Sequence, residues 1–292
     1  MFFRRDYTRD PFHHQFAAAV TGPLLSMLHP SAPLLQTETL ADLPAWAWVA
    51  GSIAIYAVAG LVLWIGQRRG DLQSGLAGFL GSPGGTLLSW LARLVWLIGP
   101  GYAALLLGVV SPRLMGLSQI EIGAGLGQGV ILALVALGLL ALAVVGYRRS
   151  QPPGPVYASR ADRVAVSARL ALEAGGLQWQ WAFFRAVLIA AAVQRGADAD
   201  PVYLGAWLAV GLVTLEGVLN PLLWRDLRAP GLAGPRLLRA AILVVTTQIY
   251  LLSGNFWLCW AFHAAAVVLL EPRLRAIPAS ATSRNSDNVQ RF

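Results

Sequence analysis

Lysine is missing from this chain. Its 22 basic residues are all arginine, set against 14 acids, and the formal charge is +8. Arginine cannot be deprotonated to ease its transfer into lipid, so each of these charges must be solvated, paired or held at an interface. Charge of either sign is scarce. Charged residues make up 12% of the chain, where a soluble domain carries roughly 25%. With 57% hydrophobic residues and a mean hydropathy of +0.60, the composition excludes an ordinary soluble globule and implies a polytopic membrane protein. The single cysteine, Cys259, excludes an internal disulfide and any CxxC metal site. No HExxH motif occurs, and His263 alone lies among the polar residues of the spans, so neither metal nor cofactor is expected. The arginines are scattered between hydrophobic runs. That distribution fits membrane topology and anionic headgroups, and argues against nucleic acid.

About 20 apolar residues cross the hydrocarbon core as a helix. Seven stretches qualify: 45–66, 86–110, 125–147, 165–193, 202–224, 236–252 and 256–270. The last two are separated by "SGN" and should form a tight helical hairpin. Arginine is rich in alternate connections, in "GQRRG", in "GYRRS" with Arg160 and Arg163, in "WRDLRAP" with Arg236 and Arg239, and in "EPRLRA". By the positive-inside rule these face the cytoplasm. Seven spans would put the N-terminus outside, against the preference of Arg4, Arg5 and Arg9. An eighth crossing by 16–36, interrupted by Pro23, Pro30 and Pro33, restores agreement; a re-entrant segment is the alternative. The first residues do not read as a cleavable signal.

The expectation is therefore an all-α, polytopic helical membrane bundle of about seven to eight transmembrane helices, in the inner (plasma) membrane, with both termini cytoplasmic. Its parts are a tail with the extra crossing or re-entrant segment (1–44), N-terminal transmembrane helices (45–150), a cytoplasmic linker (151–164), a C-terminal core (165–270) and a polar tail (271–292). No internal repeat is evident.

Polar side chains gather in the C-terminal half. The fourth span carries Arg169, Glu173, Gln178, Gln180 and Arg185. At about 100° per residue, Arg169, Glu173 and Gln180 share one face, and Gln178 and Arg185 a roughly opposite one. Arg169 and Glu173 are spaced to neutralise each other. A helix polar on two faces cannot turn both to lipid, so it should be central. The fifth span holds Glu216 and Asn220 four apart, and the seventh holds His263. Converging from three helices, Glu216, Asn220, His263 and Arg185 would make a shared polar site. The plain alternatives are a buried Glu216–Arg185 pair, a Glu173–Arg169 pair and a packing histidine.

Two stretches carry a family resemblance. "LLSGNFWLCWAFHAAAVV" resembles the closing turn and histidine-bearing helix of the CPBP family, intramembrane proteases of the CaaX-protease and bacteriocin-processing type. "QWAFFRAVL" resembles that family's first motif, Glu-Glu-x-x-x-Arg, with Arg185 at the arginine. The resemblance covers about residues 165–270. It implies a helical intramembrane core with Arg185 and His263 in the site. The departures fall on the catalytic groups. Gln180 and Trp181 stand where the paired glutamates would be, Glu216-x-x-x-Asn220 is nearest to the second motif's Phe-x-x-x-His, and Val267 replaces the Asn or Asp four residues after the histidine.

Glutamine cannot take a proton from water at neutral pH, so a hydrolase here needs a base from elsewhere. The leading expectation is a CPBP-like protein with eroded catalysis. It would use its polar core, with Gln178, Gln180 and Glu173 as binding residues, to hold a transmembrane helix, membrane lipid or lipidated peptide. The alternative is an active endopeptidase with Glu216 as relocated base, Asn220 as oxyanion donor, and His263 and Arg185 beside them. A small transporter is weaker, because no inverted repeat is seen.

Overall fold

The structure, a computed structural model, describes residues 44–68, 78, 82–118, 124–149, 160–196, 200–228 and 232–274. All belong to one of the chain's two compact units, Leu40–Phe292. The other, Met1–Thr39, lies outside the described residues, and so does the expected crossing 16–36. The linker up to 159 and the tail from 275 also lie outside them.

Eight helices and no strand are found among the described residues. They are α1 (Ala45–Arg68), α2 (Pro83–Leu106), α3 (Ala124–Arg149), α4 (Arg160–Gln194), α5 (Pro201–Leu219), α6 (Pro221–Arg228), α7 (Ala233–Ser253) and α8 (Phe256–Leu274). Their ends follow from local chemistry. Ser82 Oγ accepts from the Gly85 N–H at 3.0 Å ahead of Pro83, and Asp200 Oδ1 accepts from the Val202 N–H at 2.9 Å ahead of Pro201. Both are N-caps followed by a proline in the first turn, where its missing N–H costs nothing. The "SGN" hairpin is present as expected. Gly254 ends α7 in the left-handed region (φ 61°), donating to the Tyr250 carbonyl, and Asn255 Oδ1 accepts from the Leu258 N–H to start α8.

The expected fifth span, 202–224, is broken. Asn220 precedes Pro221, and the proline ring drives the residue before it out of the helical region; Asn220 has φ −86° and ψ 112°. The chain turns there into the short α6. Other boundaries also move: α2 stops at Leu106, short of the expected 110, α4 begins at Arg160, inside the expected linker, and α8 runs past 270 to Leu274.

Among the described residues, four helices are long and apolar enough to cross a membrane: Gly84–Leu106 of α2, Gly125–Arg149 of α3, α5 and α7. In α1 the apolar stretch is the shorter Trp46–Val62. Helices α4 and α8, counted as crossings from the sequence, fall outside that set; α4 is diluted by its charges and amides, and α8 by His263, Glu271 and Arg273. An all-helical membrane protein is what these helices fit.

Four helices close into a ring: α4 packs on α5, α5 on α7, α7 on α8, and α8 on α4. Helices α1 and α2 also pack on α4, and α3 on α7 and α8. Helix α4 is accordingly central, as its two polar faces required, and none of residues 173–192 is exposed. Its contact with α5 depends on Gly205. A Cβ there would lie 2.5 Å from the Ile189 backbone nitrogen and 2.6 Å from its Cα, so backbone meets backbone. Gly205→Val should force α4 and α5 apart and cost about 3 kcal/mol. A melting curve of the purified protein in detergent tests this, and an unchanged midpoint would contradict it.

Candidate functional site

On one face of α4, Gln178, Trp181 and Arg185 follow one another at spacings of three and four, so their side chains line up. They meet α7 and α8. Gln178 Nε2 lies 3.1 Å from His263 Nδ1, and the His263 ring stacks on Trp181 at 5.1 Å with 13° between planes. As assigned, the amide donates and Nδ1 accepts, so Nε2 carries the ring proton. Arg185 is 1% exposed, and its guanidinium lies over the Tyr250 ring, 4.3 Å from the centroid. The Tyr250 hydroxyl donates to the Leu114 carbonyl at 2.8 Å, which holds the ring in place. Cys259, also buried near Arg185, gives its thiol hydrogen to the Thr246 carbonyl. Three sets of buried atoms here have no hydrogen-bond partner among the described residues: Gln178 Oε1, His263 Nε2 and all three Arg185 nitrogens.

A different face of α4 carries Gln180. Its amide donates to Glu216 Oε1 of α5 at 2.9 Å, with both groups buried. Asn220 spends its side-chain oxygen on the Leu222 N–H, at 2.9 Å, capping α6. Helix α1 closes over it: a Cβ on Gly60 would come 3.1 Å from Asn220 Oδ1.

The expected four-residue constellation is therefore divided. Gln178 and Gln180 are two residues apart and point about 200° apart around the helix. His263 sits with the first and Glu216 with the second. Among the described residues no ion pair joins Arg185 to Glu216; an aromatic face takes the place of the expected carboxylate. Asn220, outside any helix, does not share a helical face with Glu216. Of the three expected binding residues, Gln178 and Gln180 serve these two separate pairs, and Glu173 belongs to neither.

Glu173 does not pair with Arg169, which is exposed. Its Oε1 accepts from Arg239 Nη1 of α7 at 2.9 Å and lies 2.8 Å from Arg93 Nη2 of α2. Arg239 also forks onto Glu271 of α8, with Nη2 3.1 Å from Oε1 and Nε 3.3 Å from Oε2. Four helices are thus tied at one level. The sequence reading missed this cluster because it placed Arg239 and Glu271 in connections. The available signal was the apolar run on the C-terminal side of Arg239, together with Glu271 as the sole acid of the last helix.

Close by, Asp226 of α6 is held by Arg225 and by Arg236 of α7. Burial pushes the Asp226 carboxyl up. The hydrogen bonds from Arg236 and Arg225 outweigh that and hold it below the usual aspartate range. A depressed carboxylate contributes stability that is complete above its unfolded-state pKa and is lost as pH falls through the folded-state value. Both arginines are more than a third exposed, so solvent screening limits the effect.

Two outcomes follow. Tyr250→Phe should cost about 1 kcal/mol for the lost hydroxyl bond, and Tyr250→Leu about 2 kcal/mol more, because it also uncovers the Arg185 cation; equal melting midpoints for the two variants would refute the stacking. Asp226→Asn should lower the melting midpoint at neutral pH by an amount worth at most about 1 kcal/mol. Its deficit should shrink only in acid below the ordinary aspartate range, which a pH series of melts will read.

Comparison with family models, with curated proteins and with solved structures gives no match.

Proposed function

We propose that the chain is a CPBP-like integral membrane protein that has kept the helical core and lost proteolysis. In this reading it acts as a scaffold that holds a transmembrane helix, a lipid or a lipidated peptide. The bundle has seven or eight crossings in the cell's inner (plasma) membrane, with both termini cytoplasmic. The observation that carries the proposal is the division of acid from base across α4: Glu216 is bonded to Gln180, and His263 to Gln178.

Hydrolysis of a peptide needs a water molecule, a group to deprotonate it and a donor for the developing oxyanion, all within hydrogen-bond reach of one carbonyl. Glu216 has an amide on its carboxylate, and the one histidine among the described residues, His263, is bonded to Gln178 instead. Asn220, the expected oxyanion donor, is turned out of α5 at the break before Pro221, and α1 closes over its side-chain amide at Gly60. The binding half of the proposal draws on the other face. Ionisable groups within a membrane bundle are costly and mark functional contacts by default. Arg185, with the unpartnered His263 Nε2–H and Gln178 Oε1 on the same side of α4, offers a buried cation to a partner's polar group.

The test is complementation of cells lacking the protein, with wild type, Glu216→Gln or His263→Ala matched for expression. Membranes are read by peptide-terminus proteomics. All three should give the same termini, and all three should restore the abundance of any membrane partner that the deletion depletes. Specific cleaved termini that return with wild type and with neither variant would show a working protease with Glu216 as its base.

A further inference from the structure

A cavity of about 280 Å³ opens at the arginine-rich end of the bundle, lined by Arg93, Arg225, Asp226, Leu232, Pro235, Arg236 and Arg239. We propose that it binds a phosphate group, presented by a lipid headgroup or as the free ion. The proposal uses none of Gln178, Gln180, Glu216 or His263, so it stands apart from the fate of catalysis.

Four of the seven lining residues are arginines, drawn from α2, α6 and α7. The guanidinium fork matches phosphate oxygens two at a time and keeps its charge at any depth. The neighbouring carboxylates do not exhaust these cations. Arg225 and Arg236 share Asp226, while Arg93 and Arg239 share Glu173, with Glu271 also on Arg239. Among the described residues, four arginines at the cavity face three carboxylates, an excess of one positive charge. A phosphodiester carries one negative charge and would neutralise the cluster. That favours a lipid headgroup over a doubly charged free phosphate.

Donors remain to do the binding. Arg93 meets Glu173 through Nη2, and Arg236 meets Asp226 through Nε and Nη2. A guanidinium has five N–H donors, so each retains others. Their side chains are 46% and 37% exposed and line the space. Arg236 and Arg239 fall in the first two turns of α7, a membrane-length helix, which sets them near headgroup depth. Leu232 and Pro235 supply an apolar wall for the glycerol end of a lipid. The volume is near the lower end of ligand pockets, about 300 to 1,000 Å³, and suits a headgroup better than a larger solute.

The experiment uses the full chain, purified in neutral detergent and stripped of lipid. Native mass spectrometry and melting curves follow added phosphatidylglycerol, diacylglycerol of the same chains, or inorganic phosphate. Wild type should take up one phosphatidylglycerol and ignore diacylglycerol. Arg236→Gln and Arg93→Gln should each weaken uptake about tenfold, the effect of one lost charge-assisted hydrogen bond. Arg195→Gln, an exposed arginine just beyond the far end of α4, should leave uptake unchanged. Where Arg236→Gln does not fold, Arg236→Lys keeps the charge without the fork and should still bind more weakly than Arg195→Gln. If inorganic phosphate raises the melting midpoint of wild type more than that of Arg236→Gln, and phosphatidylglycerol does not bind, the site is confirmed with the free ion as its source. The proposal is overturned if neither probe binds, or if both bind the arginine variants as they bind wild type.

Discussion

Helix α4 must pass two amides, a carboxylate and a cation through the middle of a helical bundle, and most of the architecture answers to that demand. A buried polar group without a partner costs free energy comparable to a lost hydrogen bond, and a buried charge costs more. No single neighbouring helix can satisfy side chains that leave α4 in several directions. Partners therefore come from all round it: α5 supplies Glu216 to Gln180, α8 supplies His263 to Gln178, α7 supplies Tyr250 to Arg185, and α2 and α7 together supply arginines to Glu173. The close approach at Gly205 is part of the same constraint, since a helix ringed on several sides leaves little room for side chains at each contact.

Two arginines in the bundle show two ways of tolerating a permanent cation. Arg239 is held by carboxylates from two helices, in a bidentate fork on Glu271 and a single bond to Glu173. Removing one member would leave an unpaired buried charge, so the cluster locks the relative placement of α4, α7 and α8 more than it adds net stability. Arg185 has an aromatic face instead. A ring quadrupole is worth about 2 kcal/mol to a desolvated cation, well short of what an ion loses on leaving water. The first arrangement is self-sufficient. The second leaves the Arg185 nitrogens without hydrogen-bond partners among the described residues, whereas Arg239 is part of the frame.

The parts legible in the sequence were those set by local chemistry or by hydropathy. The hairpin at "SGN" follows from a left-handed glycine and an asparagine cap. The central position of α4 follows from its having polar residues on two faces. The break at Asn220–Pro221 was legible in principle, since a residue before proline avoids helix, but the apolar run on either side masked it. Pairing across helices was not legible. Arg169 and Glu173 have ideal spacing along one helix, yet i,i+4 spacing is worth only a few tenths of a kcal/mol, about 0.2 to 0.5. Tertiary packing brought Arg93 and Arg239 to Glu173 and left Arg169 exposed. Nor can spacing along a helix reveal that an aromatic ring from α7 will arrive where a counter-charge was expected.

The same periodicity decides what the residues at the expected catalytic positions can still do. Gln180 takes the first glutamate position of the resembled motif and faces α5, whereas Arg185, five residues on, is about 140° away and faces Tyr250. Arg185 and Gln178, seven apart, differ by only about 20°. Turning α4 about its axis moves all of these together, so it cannot bring Glu216 and His263 to one side. Only a transfer of α5 across α4 would unite them, and that would break the backbone contact at Gly205. An acid on α5 and an imidazole on α8 are separated here by the helix that both of them serve. Among the described residues, the polar core of this bundle therefore joins its helices through hydrogen-bond donors and charge, and holds no assembled acid–imidazole pair to move a proton.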